Sequence, residues 1–433
     1  MLPTPAQKKA IKAACAVSRA AYNYANDRVK NGKMTANSQD LRAEWTKRKA
    51  LAKVTEGDPM KWITTSGMHT KIDAQAIREL VASYSSNEEK RKKALENGEQ
   101  PEPYIVHFRS ERKMRTETLN LEKGATGGPL LHFRPLPYVA RKKHAQCLVM
   151  LGGHFASVGG LLVEDKPAVI ERMVAEDSPL MDCKLTWDKR LGTYHFIYTY
   201  EQPVLADPDP QFLSKRVAAA DPGVYPFQAW YSPTSGEHGR LMDGETETLF
   251  NRCLALGRLQ SRLDKHQGSY RRRKKQRYRT RSRLRKRLLR ERLRLTEWVK
   301  GAHYDCANQL LRSHDLIIQP VFETARMVNA KTRNIQSKTA RLMMAWSHYM
   351  YRQRLKSTAS RYAGRHIVDA REPGTSKTCT CCGAWNAALR VSDKVFKCPT
   401  CKVRVDRQMA GARNNFFAAY GNAVGVGWVG VGG

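Results

Sequence analysis

Apolar residues recur at a helical period through the N-terminal part of the chain and at a period of two further on, so the architecture changes partway along. Thr4 and Pro5 form an N-cap and first-turn pair, and Ile11, Ala14, Cys15, Ser18 and Tyr22 continue at helical spacing, which predicts a helix from Thr4 onward. Residues 71–98 repeat the pattern, with Ile77, Leu80, Val81 and Tyr84 on one face and Gly98 at the stop. From about 103 the texture becomes β-rich: YIVHF, LLHFRP, QCLVMLG and then CKLTWDKRLGTYHFIYTY, in which Leu191 and Gly192 punctuate two alternating runs as a hairpin turn does. The pattern predicts a small β-barrel domain over 1–10 and 100–208, carrying a helical insertion over 11–99.

The polar, Pro-containing stretch DPDPQFLSKR at 207–216 marks a domain junction. Beyond it, Arg216 to Ala220 reads as a short apolar strand ending in Asp221-Pro222-Gly223, and VYPFQAWY reads as a second strand. Strand, acidic residue, tight turn and antiparallel strand are how an RNase H-like fold opens. A helical hairpin follows over about 245–300, whose second arm carries YRRRKKQRYRTRSRLRKRLLRERLRLTEWVK with Leu284, Leu288, Leu293 and Trp298 as its apolar stripe. HDLIIQP and HIVDA read as further strands, and VDRQMAGARNNFFAAY as a helix with Val405, Met409, Ala412 and Phe416 on one face. The Gly-rich residues 421–433 are expected to form a flexible tail.

Charge narrows the partners. With 76 Lys and Arg against 40 Asp and Glu, the formal net charge is +36 in 433 residues, which points to a polyanion. No apolar run approaches the ~18 residues of a membrane span. Nucleic acid is therefore the expected partner, and Arg271, Arg272, Arg273, Lys274, Lys275, Arg279 and Arg283 are the expected phosphate contacts, since that helix has almost no acidic residues to neutralise them. The first residues lack the apolar stretch of a secretory leader, so a reducing compartment is expected.

The cysteines agree with that compartment. Five of the ten are scattered singly, while the rest fall between Cys379 and Cys401. Cys379/Cys382 and Cys398/Cys401 form two CxxC knuckles, which predict one tetrahedral structural Zn²⁺, a short hairpin (ALRVSDKVFK) between the knuckles, and Cys381 as a spectator. Asp406 follows five residues later. Two-metal phosphodiester hydrolysis needs carboxylates from separate elements, and Asp221 on a strand with Asp406 at a helix start meet that need. A lone Asp at a helix start is otherwise a cap.

DPG at 221–223, HDLIIQPVFETARM, TSKTCTCCG at 375–383 and CPTCKVRVDRQMAGARN resemble the C-terminal half of the TnpB superfamily, which includes transposon-associated TnpB, eukaryotic and viral Fanzor proteins, and miniature type V CRISPR effectors. The resemblance covers about 220–420; the N-terminal half is similar in general layout only. It implies a RuvC nuclease domain over 213–378 and 402–420, a zinc ribbon inserted at 379–401, a wedge-like β-barrel and a recognition domain of helices. It further implies guide RNA, a double-stranded DNA target, two catalytic Mg²⁺ ions, a monomer with a dimer as the alternative, and either the nucleus or a bacterial cytoplasm. Many relatives carry a catalytic glutamate just after the strand that here reads LIIQP, where this chain has Gln319-Pro320. Fanzor-like members instead carry an acidic residue before TSKTC, so the resemblance assigns the third carboxylate to Glu372, with Glu323 next and Asp369 behind it. Three readings follow: an RNA-guided endonuclease, an RNA-guided DNA-binding protein with an impaired centre, and a zinc-ribbon RNA-binding protein.

Overall fold

Thr4 opens the first helix as its sequence predicts: its hydroxyl accepts from the Gln7 backbone N–H while the Gln7 side chain accepts from the Thr4 N–H, a reciprocal capping box. The computed structural model describes residues 1–433 except 67, 102, 113–114, 123, 126–127, 130, 137–143, 151–158, 177–180, 202–203, 205–215, 266–273, 331–332, 334, 371–373, 391–392, 424–433 and the side chains of 124–125, 128–129, 274–278 and 421–423. The chain forms two units, Met1–Glu201 and Gln202–Gly433.

In the first unit, helices α1 (Pro5–Lys30), α2 (Ser38–Val54), α3 (Lys61–Thr64) and α4 (Thr70–Glu96) pack around Ala21, Leu41, Trp45, Ile77 and Leu80. Strands β1 (Thr116–Leu121), β2 (Gly124–Ala125), β3 (Gly128–Pro129), β4 (His132–Pro135), β5 (Ala145–Met150) and β6 (Leu161–Asp165) precede helix α5 (Pro167–Glu176), and β7 (Cys183–Asp188) and β8 (Thr193–Ile197) close the unit. They build two three-stranded sheets, β1-β7-β8 and β4-β5-β6, beside the β2-β3 ribbon. Both sheets share one core with the buried face of α1, through Leu119, Phe133, Cys147, Leu185 and Ile11. The hairpin expected around Gly192 is present, and Gly192 takes the left-handed conformation (φ +70°) that the turn needs. YIVHF, read as a strand, is not one: it runs beside α1, where Asn23 donates to the Arg109 carbonyl and accepts from its N–H. Side-chain amides there satisfy the backbone that a ladder would otherwise pair.

The second unit is built on one five-stranded sheet. Its strands are β9 (Val217–Pro222), β10 (Gln228–Tyr231), β11 (His238–Leu241), β12 (Leu316–Pro320) and β13 (His366–Ala370), in the order β11-β10-β9-β12-β13. β9, β10 and β11 are antiparallel neighbours, while β12 runs parallel to both β9 and β13. Helices α6 (Glu245–Lys265), α7 (Lys274–Ser313), α8 (Thr324–Met327), α9 (Ser337–Trp346) and α10 (His348–Ala359) lie between β11 and β13 in the chain, and β14 (Val395–Lys397), β15 (Arg404–Asp406) and α11 (Arg407–Ala423) complete it.

Strand alternation sorts the two faces. Ile317, with Phe227 and Ile367, belongs to the larger core made with α7, α9 and α10 through Leu310, Trp346, Tyr351 and Leu355. Ala219, Ile318 and Ala370 face the other way, onto Phe416 and Ala419 of α11. The parallel strands start from one ionic knot. Asp315 accepts from the Arg216 backbone N–H (2.9 Å) and pairs with the Arg216 and Arg365 guanidiniums. Burial would raise its pKa, but those donors hold it below the usual carboxylate value.

Two expectations fail in detail. Leu293 is 47% exposed, because it lies five residues past Leu288 and so on a different side of α7; Leu295 instead joins the core. Between the cysteine knuckles there is no internal hairpin among the described residues: β14 pairs with β15, beyond the second knuckle.

Candidate active site

The strand that carries Asp221 has three consecutive alanines, Ala218, Ala219 and Ala220, all fully buried, and such small side chains let α11 approach closely. One face of α11 meets it. Gln408 lies against Gly223, Gly411 lies against Asp221, and Asn415 donates to the Ala220 carbonyl (2.9 Å), at the three- and four-residue steps of one helical face. A Cβ built on Gly411 would stand 2.7 Å from Asp221 Oδ2, closer than any side chain tolerates. The expected face through Met409, Ala412 and Phe416 is therefore only partly right: Phe416 packs on the sheet, but Gln408, Gly411 and Asn415 meet β9.

Asp406 ends β15 at the start of α11. Its Oδ1 accepts from the backbone N–H groups of Gln408 (3.0 Å) and Met409 (3.1 Å), the capping role that such a residue takes by default. Its Oδ2 accepts from the Arg240 guanidinium at 2.8 Å. Arg240 is on β11, directly across from Ala229, and Ala229 is directly across from Asp221. Direct partners project to the same side, so Asp221, Ala229 and Arg240 form a row across three strands about 10 Å long at ordinary strand spacing. Asp221 and Asp406 thus occupy the same face of the sheet, over the same row.

Asp369 and Glu323 do not join them. Gln319 is paired with Asp369 and Pro320 with Ala370. Asp369 therefore projects from the face opposite Asp221, where it accepts from Lys356 Nζ (2.6 Å) and lies 3.8 Å from Arg352, which removes it as a partner of Asp221. Glu323 lines a recess with Gln319, His348 and Arg352 on that same far side, and its nearest cation is Arg326 at 3.9 Å. Extending the β9/β12 register, in which Ile318 pairs with Ala219, puts Pro320 level with Asp221 on the α11 face. Glu372 lies outside the described residues, as do Arg271, Arg272 and Arg273 and the side chains of Lys274 and Lys275. Arg279 and Arg283 are exposed on α7, whose Leu288 packs on Leu259 and Leu263 of α6.

The four knuckle cysteines converge: their sulfurs all lie within 4.8 Å of one another, with Cys379 Sγ 3.6 Å from Cys401 Sγ and Cys382 Sγ 3.5 Å from Cys398 Sγ. Zn–S bonds of ~2.3 Å in a tetrahedron set sulfurs about 3.8 Å apart, so the cluster has the size that one such ion takes. Backbone N–H groups of Thr400 and Cys401 point at Cys398 Sγ (3.3 Å each) and, against the effect of burial, bring that thiol down to about 6. Cys381 is exposed and outside the cluster. Phe396 fills the small core beneath, and its strand pairs with β15 in a register that sets Val395 opposite Asp406. The thiol cluster thereby anchors the hairpin that delivers Asp406.

Residues 348–415, spanning α10, β13, the thiol cluster and the first half of α11, match the family model of the Cas12f1-like TNB domain. This segment is similar to the Cas12f1-like TNB domain. No curated protein matches the chain in sequence. Among solved structures, the chain is similar to the protein in a complex of Cas12f1 with single-guide RNA and target DNA, at 12% identity and a TM-score of 0.51 over 94% of this chain and 82% of that one. A weaker likeness, with a TM-score of 0.44, is to CasPhi-2 (Cas12j) bound to crRNA, at 10% identity over 95% of each chain. The Cas12f1-like segment and the shared fold make the chain similar to the TnpB-like miniature type V RNA-guided nucleases. Within the described residues, no helix is long and apolar enough to cross a membrane.

Sequence reasoning missed Arg240, Gln408, Gly411 and the two buried asparagines. Gly411 left a signal, a glycine inside a helical pattern. Asn414, fully buried, donates to the Thr375 and Thr378 carbonyls (2.8 Å each) and ties α11 to the entrance of the thiol cluster. An isolated arginine in HGRL left none.

Proposed function

We propose that the protein is an RNA-guided DNA endonuclease of the RuvC type, with Asp221, Asp406 and Glu372 as the ligands of two Mg²⁺ ions. One observation carries the reading: Asp221 and Asp406, far apart in sequence, share one sheet face over the row from Asp221 to Arg240. Glu372 follows Ala370, which faces α11, by two residues. Bound there, the ions would supply activation of water and stabilisation of the leaving oxygen, giving 5′-phosphate and 3′-hydroxyl ends. The protein's own part is positional. Gly411 leaves room for the Asp221 carboxylate, and the α11 cap and Arg240 hold that of Asp406.

The Cys379, Cys382, Cys398 and Cys401 thiols would hold one structural Zn²⁺, a closed site with no open coordination position. Guide RNA pairing with the target strand would choose the sequence, and Arg279, Arg283 and the basic stretch before them would hold nucleic-acid backbone. The helices of 11–99 and the sheets of 100–208 would serve as recognition and wedge-like domains.

A second reading, RNA-guided DNA binding with an impaired centre, also has a specific basis. Pro320 is level with Asp221 and Gln408 lies against the neighbouring Gly223, where further carboxylates would be useful, and both Asp406 oxygens already accept from protein donors. Purified protein with its copurifying RNA, matched double-stranded DNA and Mg²⁺ decides between them. Cutting that disappears in Asp221→Ala supports the endonuclease; tight, RNA-dependent binding with no cut in the wild type rejects it in favour of the second reading.

A further inference from the structure

A recess of about 410 Å³ opens where β12 runs into α8, beside the first turn of α10. It lies on the sheet face opposite Asp221, and hydrolysis makes no use of it. Gln319, only 2% exposed, lines it, and its Oε1 has no hydrogen-bond partner; neither does Thr324 Oγ1 on the same wall. Buried acceptors without partners are costly, so one that faces a recess is an atom that a bound donor would complete. The rest of the lining is mainly apolar and aromatic. Phe322 and Tyr349 contribute rings, and Tyr349 is 61% exposed. Arg352 and Arg326 stand at the rim, with the Glu323 carboxylate 3.9 Å from Arg326.

We propose that this recess takes one unstacked nucleobase of a single-stranded segment, specifically a base with an exocyclic amine. A flat ring suits the apolar and aromatic walls, and an exocyclic amine supplies the donor that Gln319 Oε1 lacks. Uracil and thymine have no exocyclic amine, and their one ring N3–H is flanked by carbonyls that Gln319 Oε1 repels. Arg326 and Arg352 are placed for the adjoining phosphate, as in single-strand sites that combine stacking with cationic backbone contacts. RNA and DNA share this chemistry. The inference rests on the reading of the chain as a nucleic-acid binder, and is independent of whether it cuts.

Fluorescence anisotropy of full-length protein, stripped of copurified RNA, with labelled 12-mers of rA, rU, dA and dT tests it. Wild type should bind the adenine oligomers about five- to tenfold more tightly than the uracil and thymine ones, the worth of one hydrogen bond to a buried acceptor. Gln319→Leu should remove that preference and keep the base-blind affinity. Tyr349→Ala, at an exposed position that folding does not need, should weaken adenine binding about fivefold through lost stacking. A stronger effect on rA than on dA assigns the recess to RNA, and the reverse to DNA. Equal wild-type affinity for all four, or an unchanged preference in Gln319→Leu together with unchanged binding in Tyr349→Ala, overturns the recess proposal alone. No binding of any oligomer overturns the nucleic-acid reading with it.

Discussion

Asp221 rests directly against Gly411, with Oδ2 2.7 Å from where a Cβ would be. Gly411→Ala therefore forces either the carboxylate or the helix to move. The expected outcome is a loss of about 1–3 kcal/mol in a denaturant titration, from overpacking, and a drop of at least about tenfold in guided cleavage. Cleavage at the wild-type rate in a folded Gly411→Ala protein would show that Asp221 need not sit where it does.

Asp406 has two roles that substitution separates. Asparagine is as good an N-cap as aspartate, so Asp406→Asn should keep stability within about 0.5 kcal/mol, whereas Asp406→Ala should lose about 1 kcal/mol. If the carboxylate holds metal, both variants abolish cutting. If it only caps, Asp406→Asn cuts normally, and paired melting curves and cleavage assays distinguish the two.

Metal removal tests the thiol cluster. Purified protein should carry one zinc per chain by elemental analysis, and Cys398→Ser should carry none while Cys381→Ser keeps it. Loss of the ion should expose the segment from Thr378 to Asp406 to protease, because the β14–β15 hairpin and its small core depend on the cluster.

Two buried histidines set an acid limit. Burial, together with the charge of His303, pulls His348 down to about 3; burial and Arg354 pull His303 down to about 4, against the bond it donates to the Trp346 carbonyl. Their folded-state values lie below the unfolded one, so above pH 6.5 both states are neutral there and nothing is lost. As pH falls from 6.5 towards 4 the unfolded chain binds protons that the folded one refuses, and stability drops by an amount on the order of a few kcal/mol. His348 stacks on Phe227 and packs at a tilt against Phe322, so His348→Phe should fit the site and flatten that slope in chemical unfolding measured at pH 7 and pH 5.

Arg279 and Arg283 are exposed on a helix whose described acidic residues near them are few. Replacing both with alanine should reduce the slope of log affinity against log salt by about 2, one per phosphate contact, and leave any base preference untouched. An unchanged slope would place the bound strand elsewhere.

Much of this protein is decided locally and is legible in sequence. Thr4 and Gln7 cap α1 by their own side chains, the 3.6-residue period separates buried from exposed positions on α4, and the CxxC spacings alone bring four sulfurs together. Asp221 at a strand end and Asp406 at a helix start belong to the same class, because each follows from short-range pattern. The sheet decided the rest. A side chain's face follows from strand register, and register between β9, β12 and β13 depends on segments 50 to 99 residues apart, so only the folded chain turns Asp369 and Gln319 away from Asp221 and sets Pro320 level with it. Likewise the rotation of α11, which brings Gln408, Gly411 and Asn415 onto β9, and the grip of Arg240 on Asp406 come from close packing between distant elements, a three-dimensional constraint that periodicity along one helix does not contain.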